Sequence, residues 1–284
     1  MAVPTTSPAF PAGGSTASGR VPQGGGSGRT RGLVAGRLLL AAALLASAAP
    51  GDVGAQDGTV LRPGDAVLAV DRLQPFEAEY RQMGFPFLFR LVRAEASGAW
   101  SVQMIMEGPG GVGIDHVGLR DDDLSMAYRR FAFGAFRNEY VDVATAGDTL
   151  VIHRMAREPV SDPAPGRTAV VSDLGRVFDG TVLYWLMGLV PYSPGSAWRF
   201  PTWSLTPAAA EVRISGSVRV GASQRLTLPD GSTVEARPMV SEAGGGEVHT
   251  WVASVPPYLV RQEMVAADGT VTPVIELVGV RSGS

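Results

Sequence analysis

Apolar and polar residues alternate one by one through much of the chain beyond residue 75. The first run places apolar side chains at even positions and charged side chains at odd positions: Phe76, Ala78 and Tyr80 against Glu77, Glu79 and Arg81. Successive side chains of a β-strand point to opposite sides of the sheet, so this alternation predicts strands with one buried face and one solvated face.

Further runs follow at the spacing of about 8–12 residues that is typical of antiparallel sheets. One of them places four large apolar residues on a single face: Trp100, Val102, Met104 and Met106. Asp230-Gly231 and Asp268-Gly269 separate later runs, and such dipeptides favour tight turns because both positions tolerate a positive φ. We therefore predict a mainly β fold, with a single antiparallel sheet of about ten to twelve strands wound as a meander or barrel.

Residues 172–190 depart from the alternation and have the spacing of an amphipathic helix. Apolar side chains at steps of three and four residues form one stripe: Phe178, Val182, Trp185, Leu186 and Leu189. Ser172 or Asp173 can cap the start, because a short side-chain oxygen accepts hydrogen bonds from the free amides of a first turn. Pro191 ends the pattern. We predict one main helix over 172–190 that covers the open face of the sheet.

The first 55 residues have the organisation of a secretory signal. Residues 1–33 are mostly Gly, Ser, Thr, Pro and Ala, a composition that cannot bury enough apolar surface to become ordered. Arg37 then precedes an uncharged, mostly apolar run over 38–49, which is shorter than the ~20 residues a membrane-spanning helix needs. Small residues follow at 53–55, where signal peptidase requires them.

These features predict a signal peptide with a disordered leader over 1–55 and a single mature domain over 56–284. The mature domain has no further apolar stretch long enough to be a transmembrane segment, so we expect a soluble protein in the periplasm or outside the cell. An uncleaved membrane anchor and a buried helix are the alternatives for the apolar run.

Composition excludes several classes of chemistry. The chain has no cysteine, which rules out disulfides, thiolate catalysis, zinc–thiolate and iron–sulfur sites, and lipid attachment to an N-terminal cysteine. The formal net charge of −3 argues against binding to nucleic acid.

The second half of the chain carries a more specific order of residues. An aromatic-rich segment at 182–185 comes first and is followed by Trp198 and Pro201. A strand at 218–220 comes next, then a strand that contains Trp251, and finally the run Pro-Tyr-Leu-Val-Arg at 257–261. In this order the chain resembles, over about residues 62–280, an uncharacterised bacterial periplasmic domain family related in shape to the lipoprotein carriers of the LolA and LolB type.

That resemblance implies an unclosed antiparallel half-barrel with a helix that lids an apolar concavity, and in such carriers the concavity holds acyl chains. It implies no catalytic residues. This chain lacks the lipid-attachment cysteine of the LolB-type member, so the resemblance does not extend to a membrane-anchored role.

The three histidines are the natural starting points for a catalytic or metal site: His116, His153 and His249. Asp115 and His116 are adjacent, so on a strand they point to opposite faces and cannot easily act together. Glu247 and His249 share a face if their segment is extended, and with a distant third ligand they could hold a metal. A surface carboxylate beside a partly buried histidine is the simpler interpretation. There is no Gly-x-Ser-x-Gly nucleophile elbow, and we predict no cofactor and no metal.

Three polar segments have ordinary structural interpretations. Residues 108–113 are glycine-rich but lack the Lys and the following helix of a phosphate loop, so they predict a hairpin loop. The Asp triplet at 121–123 lacks the spacing of a calcium loop and predicts a solvated turn. Arg129-Arg130 predicts an exposed strand end, with contact to an anionic headgroup as the alternative.

We therefore expect a non-enzymatic, exported protein of the cell envelope that binds a lipid or another hydrophobic small molecule between the sheet and the helix. Met and Trp side chains suit irregular apolar ligands. The residues expected to line the concavity are Phe87, Phe89, Trp100, Met104, Met106, Phe178, Val182, Trp185, Leu189 and Trp251.

Two alternatives come from other classes of protein. One is a structural or interaction module whose interior is filled by its own side chains and whose sheet edges pair with envelope proteins. The other is a hydrolase with residues assembled in space around His249 or His153.

Overall fold

The computed structural model describes residues 58–94, 99–108, 111–133, 139–147, 149–156, 167–171, 176–191, 193–205, 210–243 and 245–281. The predicted signal peptide and leader over 1–55 lie outside the described residues, as do the start of the predicted helix at 172–175 and the Ser97-Gly98 turn.

Strands dominate the described residues. In chain order they are β1 (Thr59–Val60), β2 (Phe76–Gln82), β3 (Phe85–Arg93), β4 (Trp100–Gly108), β5 (Gly111–Leu119), β6 (Met126–Phe133), β7 (Glu139–Ala146), β8 (Thr149–Ala156), β9 (Arg167–Val171), β10 (Phe178–Asp179), β11 (Ala197–Arg199), β12 (Pro201–Leu205), β13 (Ala210–Ile214), β14 (Val218–Val220), β15 (Gln224–Thr227), β16 (Thr233–Ala243), β17 (Gly246–Val252), β18 (Leu259–Val265) and β19 (Val271–Arg281). The prediction of a mainly β fold is confirmed.

Two antiparallel meanders make up most of the larger, 16-stranded sheet. Strands β2 to β9 are neighbours in sequence order, and so are β16 to β19. The pairing of β19 with β2, in which Leu277 lies opposite Tyr80, joins the two meanders. Beyond β16 the sheet continues through β14 and β11 to β1, and β15 pairs with β16 beside this path. The path ends at β1 and β9, so the sheet is open.

The topology differs from the prediction of a single antiparallel sheet in two respects. β1 pairs with β11 in parallel, so the larger sheet is mixed. A separate 3-stranded sheet contains β10, β12 and β13, with β10 parallel to β12. The described residues also hold more strands than the ten to twelve predicted, because several elements are only two to four residues long and cannot show a period of two.

The predicted helix over 172–190 is wrong for most of its described length. Phe178–Asp179 is extended, the α-helix α1 covers only Leu183–Leu186, and a 3-10 turn follows at Met187–Leu189. The carboxylate of Asp179 explains the late start, because its Oδ1 accepts the backbone N–H groups of Thr181 and Val182 at 2.9 and 3.1 Å. Such side-chain bonding to the backbone competes with helix and favours a turn.

One face of the larger sheet, here called the packed face, carries most of the core. On β2 to β5 the buried apolar residues of this face are Phe76, Ala78, Tyr80, Phe87, Phe89, Leu91, Trp100, Val102, Met104, Val117 and Leu119. Residues 177–190, here called the covering segment, pack against it in the same cluster. The predicted alternation on β2 is confirmed, since all three of its apolar residues are buried.

The exposed charged side chains occupy the opposite face of the larger sheet. Arg281 pairs with Glu77 at 2.9 Å, and Arg130 pairs with Asp142 at 3.1 Å. These pairs are largely exposed, and exposed pairs each contribute at most about 1 kcal/mol. The separation of apolar and charged residues between the faces, rather than the ion pairs, fixes which face is covered.

Three predicted turns are confirmed. Gly108 ends β4 and pairs with Gly111, which begins β5, so two antiparallel strands adjoin this segment, as expected of a hairpin. Residues 111–113, which were predicted in the loop, belong to β5. Gly231 and Gly269 lie in the turns that precede β16 and β19, with φ of 84° and 82°. A positive φ is costly for residues with a Cβ, which is why glycine follows aspartate at both positions.

Candidate functional site

The structure brings together nine of the ten residues predicted to line a concavity. Eight are buried in one cluster: Phe87, Phe89, Trp100 and Met104 on the sheet, and Phe178, Val182, Trp185 and Leu189 in the covering segment. Met106 is partly buried against the same cluster. Trp251 is not part of it and packs in a second, smaller cluster with Ala236, Ala253 and Val260.

The position of Trp251 follows from the alternation along β17. Thr250 is buried, lies opposite Met239 of β16, and accepts a hydrogen bond from the Gln262 amide at 3.1 Å. The neighbouring Trp251 therefore points to the other side of the sheet, where the Arg261 guanidinium lies 5.6 Å from its ring centroid. Trp251 therefore does not lie with the other nine residues expected to line the concavity.

Trp185 fills the space between the covering segment and the sheet. Its indole is stacked on Phe89, with centroids 4.1 Å apart and planes at 12°, and its centroid lies 5.9 Å from that of Phe87. The indole Nε1 donates a hydrogen bond to the Tyr80 hydroxyl at 3.1 Å, and that hydroxyl donates to the Leu259 carbonyl at 2.9 Å. The side chains predicted to surround a ligand are thus in contact with one another here.

The sequence analysis did not predict that the hydroxyl of Tyr80 forms hydrogen bonds at this site. Tyr80 was assigned to the apolar face of β2, which is correct, but its hydroxyl links β2, the covering segment and β18. Burial raises the pKa of Tyr80, and the hydrogen bond from Trp185 opposes that shift only in part. The phenol therefore stays protonated and acts as both donor and acceptor.

A buried ion cluster also joins the covering segment to the sheet. Arg129 of β6 donates two hydrogen bonds to Asp115 of β5, from Nε at 3.0 Å and from Nη2 at 2.6 Å. Its Nη1 donates to Asp179 of β10 at 3.2 Å. The Arg129 side chain is 12% exposed and that of Asp179 is 0% exposed. The prediction that Arg129 belongs to an exposed strand end is therefore wrong, whereas Arg130 is exposed as predicted.

The electrostatics of this cluster follow from two carboxylates sharing one guanidinium. Burial raises the pKa of Asp115, and the charge and hydrogen bonds of Arg129 counteract it only partly. Burial alone would lower the pKa of Arg129, but Asp115 and Asp179 outweigh that effect and raise it. Arg129 therefore stays charged. Asp179 also accepts hydrogen bonds from the Thr181 and Val182 amides, so the cluster fixes the start of the turn that leads to Trp185.

His116 lies on the opposite face from Asp115, as the strand geometry predicts. Its Nε2 lies 2.8 Å from the Ser101 hydroxyl and 3.0 Å from the Tyr128 hydroxyl. Gly118 provides the room for this arrangement, because a Cβ at that position would lie 2.1 Å from Cε1 of Tyr128. Partial burial and the charge of Arg130 lower the pKa of His116.

The Ser101–His116 pair has the nucleophile and base of a hydrolytic site. The sequence analysis considered His116 only with Asp115 and did not predict Ser101 as its partner. A catalytic triad also requires a carboxylate that orients the imidazole. In the part of the chain that the structure describes, no carboxylate bonds to this ring, and the neighbouring Asp115 is held by Arg129 on the other face.

The other two histidines were the centres of the predicted hydrolase alternative. Glu247 and His249 share a face, as expected, with His249 Nε2 2.8 Å from Glu247 Oε2. Arg219 also bonds to Glu247 at 3.0 Å. His153 is exposed on β8. Within the described ranges no three His, Asp or Glu side chains lie close enough together to hold a metal ion.

A small groove lies between β15 and the strands β18 and β19. Its volume is about 200 Å³, and its lining residues are Leu226, Thr227, Leu228, Pro229, Val260, Arg261, Glu276 and Leu277. None of these belongs to the predicted ligand-binding set. Aliphatic residues scattered over three strands give no contiguous sequence signal, which is why the groove was not predicted.

No protein-family model, no curated protein and no solved structure matches this chain. The resemblance to carriers of the LolA and LolB type therefore stays a prediction from the order of residues. Among the helices of the described ranges, none has the length and apolar character needed to cross a bilayer.

Proposed function

We propose that this chain is an exported, non-enzymatic module of the cell envelope, built as a half-barrel whose interior is filled by its own side chains. The observation that carries the proposal is the stack of Trp185 on Phe89 at 4.1 Å. A half-barrel that carries an acyl chain needs an apolar void at this position, and here an indole occupies it.

The contacts of Trp185 oppose its displacement by a ligand. A stacked aromatic pair contributes about 0.5–1.5 kcal/mol beyond the burial of apolar area. Loss of the bond from Trp185 to Tyr80 would leave a buried indole N–H unpaired unless the ligand offered an acceptor, at a cost of about 1–3 kcal/mol. An alkyl chain offers no acceptor, so it cannot replace both interactions.

The proposed partners are envelope proteins that pair with the end strands of the open sheet. Among the described residues the strand path ends at β1 and β9, and the outer edge of an end strand presents N–H and C=O groups to which an extended peptide can add as a further strand. In such an interaction the filled interior acts as a rigid support rather than as a binding site.

Titration of the purified full chain with a fluorescent acyl probe tests the filled interior. We expect no saturable binding at a ratio of one probe per chain. Saturable binding at that ratio, competed by unlabelled fatty acid, would contradict the proposal.

A carrier of hydrophobic ligands is the second candidate, and the shortness of the covering segment favours it. That segment contains only one α-helical turn and one 3-10 turn, Leu183–Leu186 and Met187–Leu189, so a ligand would displace little regular structure. This candidate expects the wild-type chain to bind the probe, Trp185→Asp to abolish binding, and Trp251→Asp in the separate cluster to retain it. Equal behaviour of the two variants would remove it.

A further inference from the structure

The buried cluster of Asp115, Arg129 and Asp179 holds two carboxylates and one guanidinium. Asp115 is 2% exposed and Asp179 is 0% exposed, so both carboxylates are removed from water. In the part of the chain that the structure describes, Arg129 is the cation that both of them contact. When both carboxylates are ionised, the cluster therefore buries one negative charge in excess, which is unfavourable.

The groups packed around the cluster do not offset this charge. The Arg129 guanidinium lies 5.2 Å from the ring centroid of Phe131 and 5.7 Å from that of Trp203. In the strand register, Asp115 lies opposite Met104 of β4 and Phe131 of β6. Among the described residues, Arg129 and Asp179 are the charged groups that act on Asp115. The excess charge is therefore removed most directly by a proton.

The hydrogen bonds indicate which carboxylate takes up that proton. Asp179 accepts the amides of Thr181 and Val182 on Oδ1 and Arg129 on Oδ2, and three such bonds favour its ionised form. Burial raises the pKa of Asp115, Arg129 counteracts this only partly, and the negative charge of Asp179 adds to the rise. Asp115 is therefore protonated first as the pH falls.

The backbone holds the two carboxylates with different firmness. Asp115 lies in the middle of β5 and is paired with a strand on each side. Asp179 belongs to β10, a strand of two residues that leads into the turn at Thr181 and Val182. Repulsion between the two carboxylates is therefore relieved by a shift of residues 179–182 rather than by a shift of β5.

We propose that this cluster is a pH-dependent latch on the covering segment. With Asp115 protonated, Arg129 pairs with Asp179 alone and residues 179–182 are locked against the sheet. With Asp115 ionised, the two carboxylates repel each other and these residues loosen. The latch goes beyond the proposed function, because it concerns how the covering segment is held and not whether the interior is filled.

The sign of the pH dependence follows from linkage. The locked form raises the pKa of Asp115 above its ordinary value of 3.8. The stability that the proton supplies is therefore fully present below pH ~3.8 and is lost as the pH rises through the pKa of the locked form. His116, on the other face of β5, has a lowered pKa and acts in the opposite direction, because its protonation reduces stability as the pH falls.

Amide hydrogen exchange of the full chain between about pH 4 and pH 8 tests the latch at Thr181 and Val182, whose amides Asp179 holds. We expect their protection factors to fall as the pH rises, by up to about ten-fold per pH unit below the pKa of Asp115. Because the opening is local, both should stay below the protection of Val102 in the core. Protection that does not fall with rising pH, or that equals that of Val102 throughout, would overturn the latch.

Two variants of similar size assign the effect to Asp115. Asp115→Asn removes the titrating charge and should abolish the pH dependence of protection at Thr181 and Val182. Asp142→Asn is the control, because Asp142 pairs with the exposed Arg130 on the opposite face, and it should keep that dependence. A wild-type pH dependence in Asp115→Asn, or its loss in Asp142→Asn, would refute the assignment.

The ¹³C shift of the Asp115 carboxyl in the wild type provides a measurement that needs no variant to fold. We expect its titration midpoint above the ordinary value of 3.8. A midpoint at or below that value would show that the covering segment does not destabilise the ionised carboxylate, and the latch would be wrong even if the interior is filled.

Discussion

The ring of Trp185 lies nearly parallel to that of Phe89, and the two ring centroids are 4.1 Å apart. This contact joins the covering segment to β3. The same indole donates a hydrogen bond to Tyr80. One residue of the covering segment therefore supplies both apolar contact and a polar anchor to the packed face.

Replacement of Trp185 by Ala should destabilise the fold by about 3–5 kcal/mol, the usual cost of removing a buried large aromatic side chain. The vacated space should also bind indole, so indole should raise the thermal midpoint of this variant and leave that of the wild type unchanged. Urea unfolding and thermal melts with and without indole measure both effects. A loss below 1 kcal/mol would show that Trp185 is not packed as described.

Replacement of Arg129 by Met should cost about 3–5 kcal/mol, because it leaves the carboxylates of Asp115 and Asp179 buried without a cation. Arg130→Met is the matched control, since Arg130 is exposed on the same strand and its pair with Asp142 contributes at most about 1 kcal/mol. Urea denaturation of the two variants compares them. Similar losses for both would contradict the burial of the Arg129 cluster.

The pKa of His116 should give the stability a specific pH dependence. Because its folded pKa lies below its ordinary value of about 6.5, the unfolded chain takes up a proton first as the pH falls. The contribution of His116 is therefore fully present above pH ~6.5 and is lost as the pH falls from there towards the folded pKa.

Unfolding free energies of the wild type and of His116→Gln, measured from pH 8 to pH 5, should differ in slope within that window only. NMR titration of the His116 ring gives the folded pKa directly. A midpoint above 6.5 would reverse the sign of the effect and contradict the partial burial of His116 beside Arg130.

Gly188 should not tolerate a side chain. A Cβ there would lie 2.7 Å from the Ala253 carbonyl oxygen and 2.9 Å from Cβ of Tyr258, so backbone would have to move. Gly188→Ala should therefore destabilise by about 1–3 kcal/mol through overpacking. Gly216→Ala, where a Cβ would meet nothing within 4 Å, is the control. Equal stability of the two variants in urea would place the 3-10 turn further from the loop before β18.

The sequence predicted what depends on local alternation. The faces of β2, the opposite orientation of Asp115 and His116, and the turns at Gly231 and Gly269 all follow from rules that act over a few residues. The mainly β fold was predicted on the same basis, whereas an unclosed sheet was only what the resemblance to LolA- and LolB-type carriers implied.

The errors arose where a distant residue decides the outcome. The helix over 172–190 was predicted from spacing alone, but Asp179 is bound to Arg129 and caps a later turn. Arg129 appeared exposed because its two carboxylate partners lie 14 and 50 residues away in sequence. Trp251 was assigned to the wrong face because the register of β17 with β16 is not visible in the sequence. Long-range ion pairing and strand register cannot be read from a single alternating segment.

The lipid content of the protein isolated from the cells that naturally produce it tests the filled interior most directly. Organic extraction of the purified, folded chain followed by mass spectrometry, with a known acyl carrier treated in parallel, measures the moles of extracted lipid per mole of protein. An interior filled by its own side chains predicts a ratio near zero. A ratio near one acyl lipid per chain would contradict it and establish the hydrophobic carrier in its place.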